Sequence, residues 1–308
     1  RYSKLIETQP QSPFVPHALV DRAISHSNLR NYESSMRDYR NALEAYPRHQ
    51  AANDALLGLQ ETLVALDRSE EFPTYLEAYK AANPEDQDLA SIEFESAKNL
   101  YFSQKYDPAR EAFHEYLSSY PESPFVDDVY YYLGESLYRT GDYQASINTL
   151  LKLLERPNSR WYNRALNRVA MLYNETGQYG QAIPYFRTLQ ELATNRREEY
   201  DAWNGLMMAY YHTGEYDSVL YFGNRILQKG AFSANATSRA QLYAGKAYYR
   251  LGDVENAIDH FINTVNTAKD VHGAEAQYLI AEILHDQGDH QASNEALYDL
   301  NEQFGIYE

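Results

Sequence analysis

Cysteine is absent from this 308-residue chain, and tryptophan (2) and methionine (4) are scarce. Without thiols there are no disulfides, thiolate metal sites or cysteine nucleophiles, while the compartment stays open because cytosolic and envelope proteins can both lack them. Positive charge is also short: 27 lysines and arginines face 44 aspartates and glutamates, a formal charge of −17. Such a field repels phosphate backbones and anionic lipid surfaces, which argues against nucleic acid and polybasic membrane docking. No apolar run approaches the ~18 residues that cross a bilayer, so direct membrane insertion of this segment is not expected. The chain starts at Arg1 with no charged-then-apolar leader.

Catalytic patterns are missing as well. There is no His-Glu-x-x-His pair, phosphate-cradling glycine loop or nucleophile elbow. The one dense set of metal-ligating side chains, His285, Asp286, Asp289 and His290, straddles a turn and does not give the one-face geometry of an i,i+4 zinc pair. Neighbouring acids such as Glu70-Glu71, Asp127-Asp128 and Glu198-Glu199 point different ways on a helix and do not converge on one bond. Solvated turns and charged outer faces account for both groups. The expectation is a protein without enzymatic activity, cofactor or metal.

What the chain has in quantity is apolar and aromatic side chains, 44% hydrophobic with 30 tyrosines, enough for a continuous core. Glycines at 141, 177, 214, 252 and 288 sit in similar contexts, Thr140-Gly141-Asp142-Tyr143, Thr176-Gly177-Gln178-Tyr179 and Thr213-Gly214-Glu215-Tyr216 among them. Their spacing of 36 to 38 residues is a repeat period. On either side apolar residues recur at three and four, as in Val129 to Tyr138 before Gly141 and Ala145, Ile147, Leu150, Leu151 and Leu154 after it, which spells two amphipathic helices joined at a left-handed glycine. Small residues stand seven before the glycine (Gly134, Ala170, Gly245, Ala281) and five after it (Ser146, Ala182, Ala257, Ser293). Large ones stand nine after (Leu150, Phe186, Phe261, Leu297). Small against large is how close helices interdigitate.

The frame extends backward to Gln104, with Ala97 and Ala109, and to Arg30, with Ala23 and Ser35. Glu70-Glu71-Phe72 marks the poorest copy, with Leu63 and Tyr75 at the small positions. Eight hairpins are expected, over about 16–49, 50–87, 88–123, 124–159, 160–197, 198–235, 236–272 and 273–305. Residues 1–9 read as the tail of a preceding hairpin, and Gly305 to Glu308 as the point where another would begin. The whole, 1–308, reads as one fragment of a longer array.

Tyr130, Leu133, Gly134, Tyr138, Gly141, Asp142 and Tyr143, and again Trp203, Leu206, Tyr210, Tyr211, Gly214, Glu215 and Tyr216, resemble the tetratricopeptide repeat. The resemblance implies an all-α, right-handed α-solenoid that binds proteins. The joints Tyr120-Pro121-Glu122-Ser123-Pro124-Phe125 and Gln9-Pro10-Gln11-Ser12-Pro13-Phe14 resemble those of bacterial cell-envelope repeat proteins such as the outer-membrane assembly lipoprotein and the Tol-Pal accessory protein. The tyrosine content resembles large envelope-associated repeat proteins of the Bacteroidetes. These likenesses imply a periplasmic or cell-envelope setting, with the cytoplasm as the alternative.

In that family the first helix of each hairpin lines the concave face, so contacts are implied ten, six and three residues before the turn. Those offsets give Phe94, Lys98 and Tyr101; Tyr131, Glu135 and Tyr138; Asn167, Met171 and Asn174; Asn204, Met208 and Tyr211; Leu242, Lys246 and Tyr249; and Tyr278, Glu282 and His285. Tyrosine offers area and a hydroxyl, methionine adapts its shape, and asparagine can pair with a peptide backbone. For any one tyrosine, packing between neighbouring first helices competes with ligand contact. The expected partner is a protein or peptide segment held in this groove. The alternative is a rigid spacer or self-associating element of an envelope complex.

Overall fold

The computed structural model describes residues 1–305 except 87, 230–232 and 268; Ile306, Tyr307 and Glu308, read above as part of an open end, lie outside the described residues. Among the described residues the chain is all α, a tetratricopeptide-like solenoid of antiparallel hairpins. Its contacts divide it into two compact units, 1–161 and 162–308.

The first unit opens with a short helix, α1 (Tyr2–Thr8), followed by four hairpins: α2 (Val15–Asn28) with α3 (Tyr32–Ala45), α4 (Ala51–Ala65) with α5 (Phe72–Ala82), α6 (Leu89–Phe102) with α7 (Tyr106–Ser119), and α8 (Val126–Arg139) with α9 (Tyr143–Leu154). The second holds α10 (Tyr162–Glu175) with α11 (Tyr179–Leu192), α12 (Arg196–Thr213) with α13 (Tyr216–Gln228), α14 (Ala234–Arg250) with α15 (Val254–Thr267), and α16 (Val271–Asp286) with α17 (His290–Phe304).

One turn geometry joins every pair. The left-handed residues are Arg30, Asp67, Gln104, Gly141, Gly177, Gly214, Gly252 and Gly288, successively 37, 37, 37, 36, 37, 38 and 36 residues apart. At each, the next residue's N–H donates to the carbonyl five residues back, from Asn31 to His26 (2.8 Å) through Asp142 to Leu137 (2.9 Å) to Asp289 to Leu284 (3.0 Å). This bond closes the first helix at its C-terminus. Where the following residue is aspartate it also caps the second helix, Asp142 accepting from the Ala145 N–H and Asp289 from that of Ala292.

In the second hairpin the left-handed residue is Asp67, not Glu70 as the sequence frame placed it. A 3-10 turn over Ser69–Glu71 is interposed and α5 starts at Phe72. Seven before and five after the true turn stand Gln60 and Phe72, where the other hairpins have mostly small residues.

Elsewhere the small-against-large reading describes the packing. A Cβ built on Gly134 would lie 2.5 Å from Leu150, and one on Gly245 2.6 Å from Phe261. The same large position reaches the next hairpin as well, since a Cβ on Gly58 would meet Tyr39 at 2.3 Å and one on Gly205 would meet Phe186 at 2.3 Å. The three serines five after a turn donate across the hairpin: Ser35 to the Ala23 carbonyl (2.8 Å), Ser146 to Gly134 (2.7 Å) and Ser293 to Ala281 (2.8 Å).

Successive first helices touch one another, α2, α4, α6 and α8 in the first unit and α10, α12, α14 and α16 in the second. Among the described residues, second helices make no comparable contacts with each other. A close inner row and a splayed outer row bend each unit so that its first helices line the inner face.

Candidate functional site

In the first unit the inner face is an aromatic cluster whose rings are largely occupied with one another. Phe94, 3% exposed, stacks on Phe125 at 4.6 Å. Lys98 lies 5.2 Å over Phe94 and pairs with Glu95 at 2.5 Å. Tyr101 packs 5.1 Å from Tyr132, and burial, helped by the nearby Glu135 carboxylate, pushes its phenol up to about 12. Tyr131 stacks face to face on Trp161 at 4.0 Å. The Trp161 indole N–H donates to Asp128 (3.1 Å), which also accepts from Arg160. Tyr138 sits 5.8 Å from Tyr143, with the Arg139 guanidinium 5.8 Å over its ring.

In the second unit the inner face is more open and more polar. Asn167 and Asn174 are half-buried on α10 and Met171 is exposed between them. Asn174 donates to the Gly205 carbonyl of α12 (3.3 Å). The Nδ2 of Asn204 rests 3.9 Å from the Met208 sulfur. The Oδ1 atoms of Asn174 and Asn204 are shielded from solvent and have no hydrogen-bond partner. Both side chains are only half-buried, so rotation of either amide toward the face would present its oxygen to an incoming N–H.

Beyond them lies a cluster that crosses three hairpins. Lys246 of α14 pairs with Glu275 of α16 at 2.5 Å, and its ammonium lies 5.6 Å over Tyr211 of α12 and 5.2 Å over Tyr243. Tyr211 and Tyr243 meet edge to face at 5.3 Å. His212 stacks on Tyr179 at 4.0 Å. Burial first, and the Glu275 carboxylate second, push the Tyr243 phenol up to about 12. Burial and the Lys246 charge hold His212 below the ordinary histidine value. Tyr249 is half-buried and Tyr278 is 51% exposed.

Three expected contact residues lie buried. Phe94 and Leu242, at 3% and 1% exposure, belong to the cores beneath the face. Glu135, at 4%, is likewise inside. Conversely, Tyr243, His212, Glu275 and Trp161 fall outside the three offsets used on the sequence. Glu275 lies thirteen before its turn, one helical turn further out on the same stripe. That row carries Asp128, Arg164, Asp201, Arg239 and Glu275 along the chain, alternating in sign.

Tetratricopeptide repeat models match residues 94–159 and 170–236, and a further one matches 239–266, together just over half of the chain. The chain belongs to the tetratricopeptide repeat family. Over 102 residues the tetratricopeptide chain is 28% identical to COP9 signalosome complex subunit 1 of Schizosaccharomyces pombe, a match covering 33% of this chain and 24% of that protein. It thus spans about a quarter of the length of that curated relative. Among solved structures it is similar to a tetratricopeptide repeat protein from Parabacteroides merdae (14% identity, 82% of this chain and 93% of that one, TM-score 0.42). It is also similar to PilW, a type IV pilus biogenesis factor (16%, 70% and 92%, 0.41), and to MamA AMB-1 (22%, 59% and 96%, 0.37). Among the described residues no helix is long and apolar enough to cross a membrane.

Proposed function

We propose that this tetratricopeptide chain is a non-enzymatic scaffold that holds a segment of a partner protein on the inner face of its second unit. The observation that carries the reading is the pair of shielded, unpartnered carbonyl oxygens on Asn174 and Asn204. They lie on adjacent first helices beside exposed Met171 and half-buried Met208. Turned toward the face, these amides would meet the backbone N–H groups of an extended peptide, and methionine adapts to its side chains. The Tyr211, Tyr243 and Lys246 cluster gives the same face a rigid aromatic edge. Residues Asn167, Tyr249 and Tyr278 belong to the proposed surface, whereas Lys98, Tyr101, Tyr131 and Tyr138 serve the first unit by packing. The cell-envelope setting and the membership of both units in one array are parts of the same proposal. They are supported by the Pro-x-Ser-Pro joints and by the turn spacing.

Photocrosslinking in cells tests it. A photoreactive phenylalanine at Met171, Asn204 or Tyr249 should give discrete adducts with one partner, and the same group at Glu191 or Asp259 on second helices should not. Adducts only from the second helices, or only with another copy of the chain, would replace the scaffold with the spacer reading.

A further inference from the structure

The late start of the second helix in the second hairpin, after an interposed 3-10 turn, leaves a feature that no other hairpin shares among the described residues. Because α5 starts five residues after the left-handed Asp67, rather than two, it is an 11-residue helix where α3 and α7 have 14. Between α5 and α7, on the outer side of the first unit, lies a groove of about 540 Å³. Its floor is apolar: Phe72 and Leu76 from α5, Leu100 from α6, and Pro108 and Ala112 from α7. Its rim is acidic. Glu70, Glu111 and Glu115 are exposed and have no cation partner among the described residues. The remaining rim acids are paired, Glu77 with Lys80 and Asp67 with Lys105. Glu111 and Glu115 stand one turn apart on one face of α7, a like-charge pair that costs the free helix stability.

We infer that this groove docks a cationic amphipathic helix of a partner protein, apolar side chains on the floor and lysine or arginine against Glu70, Glu111 and Glu115. An apolar trough between two helices accepts a third helix. The length of α5, roughly 16 Å at 1.5 Å per residue, sets about three turns of contact. The choice of occupant follows from charge. A second copy of the chain, at −17, is repelled, as are nucleic acid and anionic lipid, and a basic segment is attracted. The surface is distinct from the inner face of the second unit and stands without that proposal.

The probe is a synthetic 14-residue amphipathic peptide with leucines along one face and lysines elsewhere, titrated into the full chain by calorimetry at two salt concentrations. The expected result is one saturable site, weakened at least about tenfold in E111K/E115K and weakened by salt, with hydrogen-exchange protection confined to residues 67–82 and 96–119, which line the groove. The control is E255K/D259K, which makes the same charge change on an equivalent helical pair of α15 and should bind as the unsubstituted chain does. Equal losses in both variants, binding of a peptide with glutamate in place of lysine, or protection elsewhere would overturn the inference. Thermal melts of both variants show whether the fold is kept.

Discussion

The hairpins α8/α9 and α4/α5 come from the same repeat and are held together in opposite ways. In α8/α9 cohesion is internal: Leu150 fills the space a side chain on Gly134 would take, Ser146 donates to the Gly134 carbonyl, and Asp142 caps α9. In α4/α5 the small positions carry Gln60 and Phe72, and α5 buries only Phe72 and Tyr79. Its ties lead outward to neighbours. Gln60 donates to the carbonyl and hydroxyl of Ser96 in α6, both at 2.7 Å. Arg40 of α3 reaches Glu71 at 2.6 Å, and Lys80 reaches Glu93 of α6 at 3.2 Å. A repeat that loses its interlock can thus survive inside a stack, because an array adds interface energy to intrinsic hairpin energy. The slack then appears as surface, here the groove beside α5.

Substitutions separate the two modes. The largest effect is expected from Gly134→Val, which drives a branched side chain into fully buried Leu150. It should cost about 3 kcal/mol of unfolding free energy in urea titrations, as overpacking of a closed core does. A loss under 1 kcal/mol would show that the interlock has room to give.

Lys80→Met should cost less, about 1–2 kcal/mol. Glu93 is 8% exposed and keeps only the Tyr120 hydroxyl (2.9 Å) once the ammonium is gone. Lys80 itself is a quarter exposed, and that screening keeps the figure below the cost of breaking a fully buried pair. If external ties hold α5, the loss appears first in hydrogen exchange of α5, and a change confined to α6 would sink that assignment.

The smallest effect is a gain. Gln104 holds a left-handed backbone, φ 60°, at the position where five hairpins have glycine. Gln104→Gly should raise stability by about 0.5–1 kcal/mol, relief of the side-chain clash less the entropy glycine adds to the unfolded chain. An unchanged or lower melting temperature would mean that the glutamine is not strained there.

The fold was legible because its signals are local and repeated. Five glycines with aspartate, glutamate or glutamine beside them in sequence mark the left-handed turns, and the alternation of small and large residues marks the helix contacts. The second hairpin misled the frame for a physical reason. Asp67 adopts the left-handed conformation without being glycine, and the conspicuous acidic-aromatic triplet falls three residues downstream, across the interposed 3-10 turn and the first residue of α5. The face was less legible than the fold. Three fixed offsets select a stripe, but burial on that stripe depends on what the neighbouring hairpin presents. Phe94 therefore sinks beneath Phe125, Leu242 enters the core, and Tyr243, one position on, reaches Lys246 and Tyr211. Trp161 lies in a connection outside any helix, where periodicity has nothing to say.

Residue-resolved native-state hydrogen exchange tests most directly whether the small-against-large interlock is what holds each hairpin closed. Amides of α5 (Phe72–Ala82) should open at least about tenfold more readily than those of α9 (Tyr143–Leu154) in the same unit. Equal protection of the two helices would contradict the account.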